Sequence, residues 1–215
     1  SKIIMLSFDQ NKLLIASHNE GKISEFRELL SFSELSIVSS KELGLIEPIE
    51  DGNTFEANAL IKAKSGCELS GLTTLSDDSG LAVDALGGDP GIYSARWAGP
   101  DKDFDYAMKE VNRLLDEKKI AEESRSARFI CALCLYKPNG DYSFFVGKVD
   151  GKIVWPPRGE HGFGYDAIFK PDDRLETFGE LTSIEKHSWS REKIGLSHRA
   201  RAFDKFVKFL INSEN

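Results

Sequence analysis

Residues 75–85 read Leu75-Ser76-Asp77-Asp78-Ser79-Gly80-Leu81-Ala82-Val83-Asp84-Ala85. Two apolar runs, residues 72–76 and 81–86, have the length and character of short buried strands. Between them stand two adjacent carboxylates. Paired acids repel each other and resist desolvation, so a strand entering a core does not normally finish on them. A hard cation would relieve that repulsion, and the segment reads as the lip of a Mg²⁺ site. It also bears on the fold, because it places sheet elements on either side of a polar break. A helical stretch precedes them, and the tight turn Gly87-Gly88-Asp89-Pro90-Gly91 follows.

Working upstream, Asn53 and Glu56 have capping-box spacing and open a helix with Phe55, Ala59, Ala63 and Cys67 at i, i+4 intervals. That stripe is small-sided and suits close packing on a sheet, and Gly71 ends the helix. Residues 12–17 read as a buried strand and 18–22 as a turn. A helix with Ile23, Phe26, Leu29 and Leu30 inward comes next, then a weak strand at 36–39. Downstream, residues 104–119 form an amphipathic helix with Met108, Val111 and Leu115 inward. Strands at 128–136 and 142–149 are joined by Pro138-Asn139-Gly140, and 151–155 continues the sheet. After the stiff loop Pro156-Pro157-Arg158-Gly159 comes a strand at 165–169. A last helix from about Ser197 buries Ala202, Phe203, Phe206 and Leu210. With no repeat or linker, the chain reads as one α/β domain over residues 1–215, built on a mixed sheet flanked by helices, with 1–11 as an N-terminal arm.

Composition narrows the function. No apolar run approaches the roughly 20 residues that span a bilayer, and residues 1–11 lack the apolar core of a secretory signal. A membrane partner is not expected, and residues 1–4 are either native or an addition before Met5. Three cysteines, an odd number, fit a reducing cytoplasm better than a disulfide framework. Cys131 and Cys134 form a CxxC, but on a strand positions three apart face opposite sides, so they read as structural thiols. A net charge of −7 disfavours a nucleic-acid-coating protein. It leaves room for a small anionic ligand held by local Lys and Arg.

Four polar clusters fall at element ends, where sites in open α/β sheets form. Ser17-His18-Asn19-Glu20-Gly21-Lys22 offers free amides and a lysine to a phosphate, or is an ordinary capped turn. Glu50-Asp51 precedes a helix, as metal ligands or as acids favoured by the helix dipole. Asp77-Asp78-Ser79-Gly80 is the third, with a solvated turn as its plain alternative. The fourth is Gly162-Phe163-Gly164-Tyr165-Asp166 with Ser197-His198-Arg199. Aromatics between glycines let a planar base approach the backbone, although core packing is their commoner fate. Arg199 and His198, acting as donors, would accept a 6-oxo purine over adenine, or are a basic pair on a solvated helix turn.

Taken in order, SHNEGK, the Glu50 loop with TFEANA, SDDSGLAVDALGG-PGIYSARW, GFGYDAIF, TFGELT and SHRARAF resemble the Ham1/RdgB inosine triphosphate pyrophosphatase family. The likeness runs from about Lys12 to Phe209. The resemblance implies an elongated two-lobed α/β fold with its cleft between the lobes, a cytoplasmic homodimer, and Mg²⁺-dependent hydrolysis of ITP, dITP and XTP to monophosphate and pyrophosphate. It implies Asp78 as catalytic base and metal ligand, Glu50 as the second metal carboxylate, and Asp77 in support. It places the triphosphate on Ser17, His18, Asn19, Glu20, Gly21, Lys22 and Ser79. The base and sugar fall to Phe163, Gly164, Tyr165 and Asp166, with the purine edge read by His198 and Arg199. The chain departs from the family pattern at Glu160-His161, where small residues are usual. Residues 187–195 look inserted, which leaves Lys186 or Lys193 as the substrate lysine, Lys186 being preferred. A hydrolase of another modified nucleotide and a non-catalytic nucleotide sensor are the rival readings.

Overall fold

A computed structural model describes residues 11–213; the rest of the expected N-terminal arm lies outside them. The strands are β1 (Lys12–Ile15), β2 (Ser36–Ser39), β3 (Thr74–Val83), β4 (Ser126–Tyr136), β5 (Tyr142–Ile153) and β6 (Phe169–Pro171). The helices are α1 (Glu20–Leu29), α2 (Phe55–Ser70), α3 (Phe104–Glu117), α4 (Ser183–His187) and α5 (His198–Ser213). One six-stranded sheet runs β2-β1-β3-β4-β5-β6. β1 pairs in parallel with β2 and β3, and the other three pairings are antiparallel. The mixed α/β class read from the sequence is the one observed.

Three details differ from the sequence reading. The acidic pair does not separate two strands. β3 runs unbroken through Asp77 and Asp78, in continuous register with β4 from Thr74↔Tyr136 to Val83↔Ala127, and residues 84–86 are a single 3-10 turn. The cap of α2 is Thr54, whose hydroxyl accepts from Ala57 N–H at 3.0 Å, one residue beyond the expected Asn53. Residues 165–169 are not a strand: residues 166–168 form a 3-10 turn and β6 begins at Phe169. Tyr165 precedes that turn, and its buried hydroxyl donates to Ser94 O at 2.6 Å.

Long strands create the two-lobed form. Side chains alternate across a strand, so Leu75, Asp77, Ser79, Leu81 and Val83 share one face of β3. Leu75 packs with α1 and α5 around Phe26, Phe203 and Phe206. Leu81 and Val83 belong to a second core with Val111 of α3, Phe129, Phe169 and Phe178. The gap between the cores falls at Asp77 and Ser79. On the opposite face α2 lies close through Ala59 and Ala63, against Ala132 and Cys134. The CxxC thus splits between faces, as strand geometry requires.

Gly147 positions the last helix. A Cβ there would lie 2.2 Å from His198 O and 2.4 Å from Ala202 N. Only a bare backbone lets the first turn of α5 rest on β5, and that contact sets His198 and Arg199 at the boundary between the lobes.

Candidate active site

Alternation gives the neighbouring acids separate partners. Asp77 is fully buried and accepts four donors: Arg199 Nε at 2.6 Å, Cys131 Sγ at 3.1 Å, Lys22 Nζ at 2.8 Å and Ser79 Oγ at 2.9 Å. Burial would raise its carboxyl pKa, but Arg199 and Lys22 hold it well below the usual carboxylate range. Asp78 points to the α2 face. There Lys62 Nζ lies 3.6 Å from Asp78 Oδ1 and 3.2 Å from Glu50 Oε1, and also donates to Asp77 O. The expected pair of repelling acids sharing one cation is therefore corrected: basic side chains from α1, α2 and α5 compensate each acid on its own face.

One ammonium spans Glu50 and Asp78, so carboxyl groups 28 positions apart in the chain converge. Burial pushes the Asp78 carboxyl up to about 6 despite the nearby lysines, and its Oδ2 is buried without a hydrogen-bond partner. An orphaned carboxylate oxygen, and a lysine acting as counter-ion to two carboxylates, fit a divalent cation chemically. Among the described residues no group of three or more His, Cys, Asp and Glu side chains could hold a metal. Glu50 and Asp78 suit Mg²⁺, which binds through one or two carboxylates while phosphate and water complete its shell.

These groups open on a cavity of about 260 Å³, lined also by Ser17, His18, Asn19, Lys22, Arg96 and Lys102. The start of α1 forms one wall. Asn19 caps it by accepting from Lys22 N–H at 3.1 Å, leaving a helix N-terminus with a lysine beside it, which favours anions.

A smaller chamber of about 90 Å³ adjoins this cavity, and the two share Asn19, Lys22, Ser79 and Ala95. Its walls include Phe129, Phe163, Tyr165, Phe178, His198 and Arg199. Phe163 closes over α1 where Gly21 leaves room, since a Cβ on Gly21 would stand 2.6 Å from the ring. The His198 ring lies parallel to Phe129, centroids 4.7 Å apart. Burial lowers its pKa far below the ordinary histidine value, so the ring is neutral, with Nδ1 buried and unpartnered. Arg199 is 2 % exposed and tied to Asp77, to Glu25 and, through Nη2, to Ser79 Oγ at 2.9 Å. A free basic pair on a solvated turn is therefore not what these residues are.

Most of the residues named from the sequence meet here. Ser17, His18, Asn19, Lys22, Glu50, Asp78 and Ser79 line the polar cavity, and Phe163, Gly164, Tyr165, Asp166, His198 and Arg199 line the chamber. Glu20 does not join them: its exposed carboxylate pairs with Lys41. Neither expected lysine lines either of these two cavities. Lys193 is exposed. Lys186 is buried behind the chamber, where it donates to Phe178 O at 2.9 Å and to Asp166 at 3.3 Å. Asp166 in turn accepts from Phe163 N–H, which makes Lys186 and Asp166 the brace of the GFGYD loop. The sequence reading missed Lys62, Glu25, Arg96 and His187. Glu25 carried a signal, as an acid between Ile23 and Phe26 on the inward face of α1. Nothing about Lys62 separates it from any helix-surface lysine.

Known proteins resemble this chain over nearly its whole length. The sequence profile of the Ham1 family matches residues 13–209. A dITP/XTP pyrophosphatase of Rhodopseudomonas palustris is 52% identical over 201 residues, covering 93% of this chain and 96% of that one. One of Bradyrhizobium diazoefficiens is also 52% identical, over 93% of this chain and 95% of its own. Among solved structures, a HAM1 protein from Coxiella burnetii superimposes with a TM-score of 0.79 at 33% identity, covering 94% of this chain and 98% of that one.

Proposed function

This chain belongs to the Ham1 family, and from that membership we propose that it is a pyrophosphohydrolase of non-standard purine nucleoside triphosphates. It would convert ITP, dITP and XTP to the monophosphate and pyrophosphate and so cleanse the nucleotide pool. The observation that carries this reading is the confluence of two unlike cavities at Lys22 and Ser79. One presents carboxylates and ammonium groups to a charged tail. The other presents aromatic rings to a planar base.

Within that reading each side chain has a task. The helix N-terminus at Asn19 and the ammonium groups of Lys22 and Lys62 draw in the triphosphate and offset its charge. Glu50 and Asp78 would hold Mg²⁺, which when bound neutralises phosphate oxygens and polarises the phosphorus. Asp78 Oδ2 accepts a proton from water as the water oxygen bonds to the α-phosphorus. The bond from that phosphorus to the bridging oxygen breaks, and pyrophosphate leaves. With Mg²⁺ bound, its charge would keep Asp78 ionised, the form that can accept this proton. In the chamber the purine stacks on aromatic rings, a contact typically contributing about 1–3 kcal/mol per base. A neutral His198 offers one donor and one acceptor, and Arg199 offers donors only. Donors facing the 6-position favour a carbonyl over an amino group, because an unpaired buried donor is costly.

Mg²⁺ dependence, a homodimer and a cytoplasmic location belong to the same proposal. The three cysteines are free and buried, in keeping with a reducing compartment. No helix among the described residues is long and apolar enough to cross a membrane.

The test is a panel of ITP, dITP, XTP, GTP and ATP, with and without EDTA, read by pyrophosphate release. The expected result is turnover of the first three by about 10²-fold or more over ATP, in line with losses when buried polar groups go unpaired, and none with EDTA. ITP bound tightly without pyrophosphate release would favour a sensor instead. Equal rates on ITP and GTP would refute the selectivity.

A further inference from the structure

Residues 187–195, which look inserted relative to the family spacing, run from the last residue of α4 into a closed loop. Leu196 N–H donates to Glu185 O at 3.1 Å and Ser197 N–H to Lys186 O at 2.9 Å, which joins the loop's two ends. Inside it, Trp189 and Ile194 form an antiparallel bridge. Trp189 anchors the loop in the first core. Its ring lies 4.7 Å from that of Phe32, and its indole N–H donates to Asp204 Oδ1 at 3.1 Å.

The anchored loop fixes His187 in the wall of the aromatic chamber. The ring is buried, with Nδ1 2.9 Å from Ser197 Oγ and Nε2 2.8 Å from Glu25 Oε1. Glu25 is itself buried, and its other oxygen accepts from Arg199 Nη1. Burial pushes the Glu25 carboxyl up, but Arg199 and His187 together hold it below its ordinary value, so it is ionised. An ionised carboxylate only accepts, so Nε2 carries the hydrogen in this contact. The contact matters because a guanidinium is a rigid planar fork whose direction follows the carboxylate it grips. A carboxylate bonded at one oxygen can swing. One bonded at both is held in plane.

We propose that His187 is a positioning residue for base selection: by holding Oε1 of Glu25 it fixes the carboxylate against which Arg199 is aimed at the chamber. The inference rests on the functional reading above, which makes the chamber the base site. In this view the inserted loop shapes base recognition from behind the wall.

Two amide substitutions separate the ring's two contacts. The glutamine amide of His187→Gln reaches the place of Nε2 and keeps the Glu25 contact. The asparagine amide of His187→Asn reaches only the place of Nδ1 and keeps Ser197. The expected result is a KM for ITP within about threefold of wild type for His187→Gln, but raised about tenfold for His187→Asn with kcat changed less. That rise is the size expected for losing a hydrogen bond to a charged group. The preference for ITP over ATP narrows in the asparagine variant alone. Both variants at wild-type KM, or both equally impaired, would overturn the assignment. If the asparagine variant does not fold, a folded glutamine variant decides: wild-type KM supports the assignment and a tenfold rise overturns it. Wild-type protein that turns over no 6-oxo purine triphosphate would sink the functional reading itself, which the same assay reads separately.

Discussion

Asp78→Asn is expected to lower turnover of ITP by about 10³-fold or more, the range that general bases contribute, and yet to make the metal-free protein more stable. The gain in stability comes from burial of the same carboxyl. Asp78 is buried, its Oδ2 has no partner, and its carboxyl is pushed up to about 6 from an ordinary 3.8. Its folded value lies above its unfolded one. The stability linked to its proton is therefore fully present below about 3.8 and lost as pH rises through about 6. At pH 7.5 the charged form opposes folding, and an isosteric amide relieves that opposition. The shift corresponds to roughly 2–3 kcal/mol, or a rise in Tm of about 4–12 °C for a chain of this size. Thermal unfolding in EDTA at pH 7.5 checks it. The gain should vanish at pH 4, where the wild-type carboxyl is already protonated. An unchanged or lower Tm at pH 7.5 would show that Lys62 and Lys22 compensate Asp78 fully.

The same substitution one residue earlier should do the reverse. Asp77 accepts from Arg199, Lys22, Ser79 and Cys131, and its carboxyl sits well below the usual range. The stability it contributes is present above its unfolded pKa and lost only as pH falls through its depressed folded value. Asp77→Asn leaves Arg199 with Glu25 as its one carboxylate and Lys22 without its carboxylate. Breaking a buried ion pair by removing one partner typically costs about 3–5 kcal/mol, a fall in Tm of about 6–20 °C. Activity should fall too, because Asp77 holds both the lysine at the charged end and the arginine at the aromatic end. The pair of melting curves, with opposite signs at adjacent positions, tests whether alternation across β3 separates a structural acid from a reactive one. Shifts of the same sign would contradict that division.

Much of this arrangement is legible in the chain, and the parts that are not have definite causes. Helical periodicity finds α1, α2, α3 and α5, because each buries one face on the sheet and carries polar residues on the other. The hairpin of β4 and β5 announces itself through Pro138-Asn139-Gly140. β3 reads as two strands because local rules treat adjacent acids as a break. The cations that let the strand continue, Lys22, Lys62 and Arg199, come from three helices, and no local window contains them all. Most motif residues of the cleft are visible because they sit at element ends; Asp77 and Asp78 lie midway along β3 and are visible because adjacent acids interrupt an apolar run. Glu25, Lys62 and His187 sit within helices, where sequence alone cannot say which way a charge points. Lys186 shows the converse. It is prominent in the motif, yet its ammonium is spent bracing Asp166 and Phe178 O behind the chamber.

The central claim is that Glu50 and Asp78 hold a divalent ion against the charged tail of a purine nucleotide whose base occupies the aromatic chamber. A crystal soaked with ITP and Ca²⁺, the slower-acting substitute for Mg²⁺, measures this directly. The account predicts Ca²⁺ bound to both carboxylates, phosphates against Lys22 and the start of α1, and the purine beside Phe163, His198 and Arg199. A cation bound elsewhere, or a nucleotide lying outside the joined cavities, would contradict it.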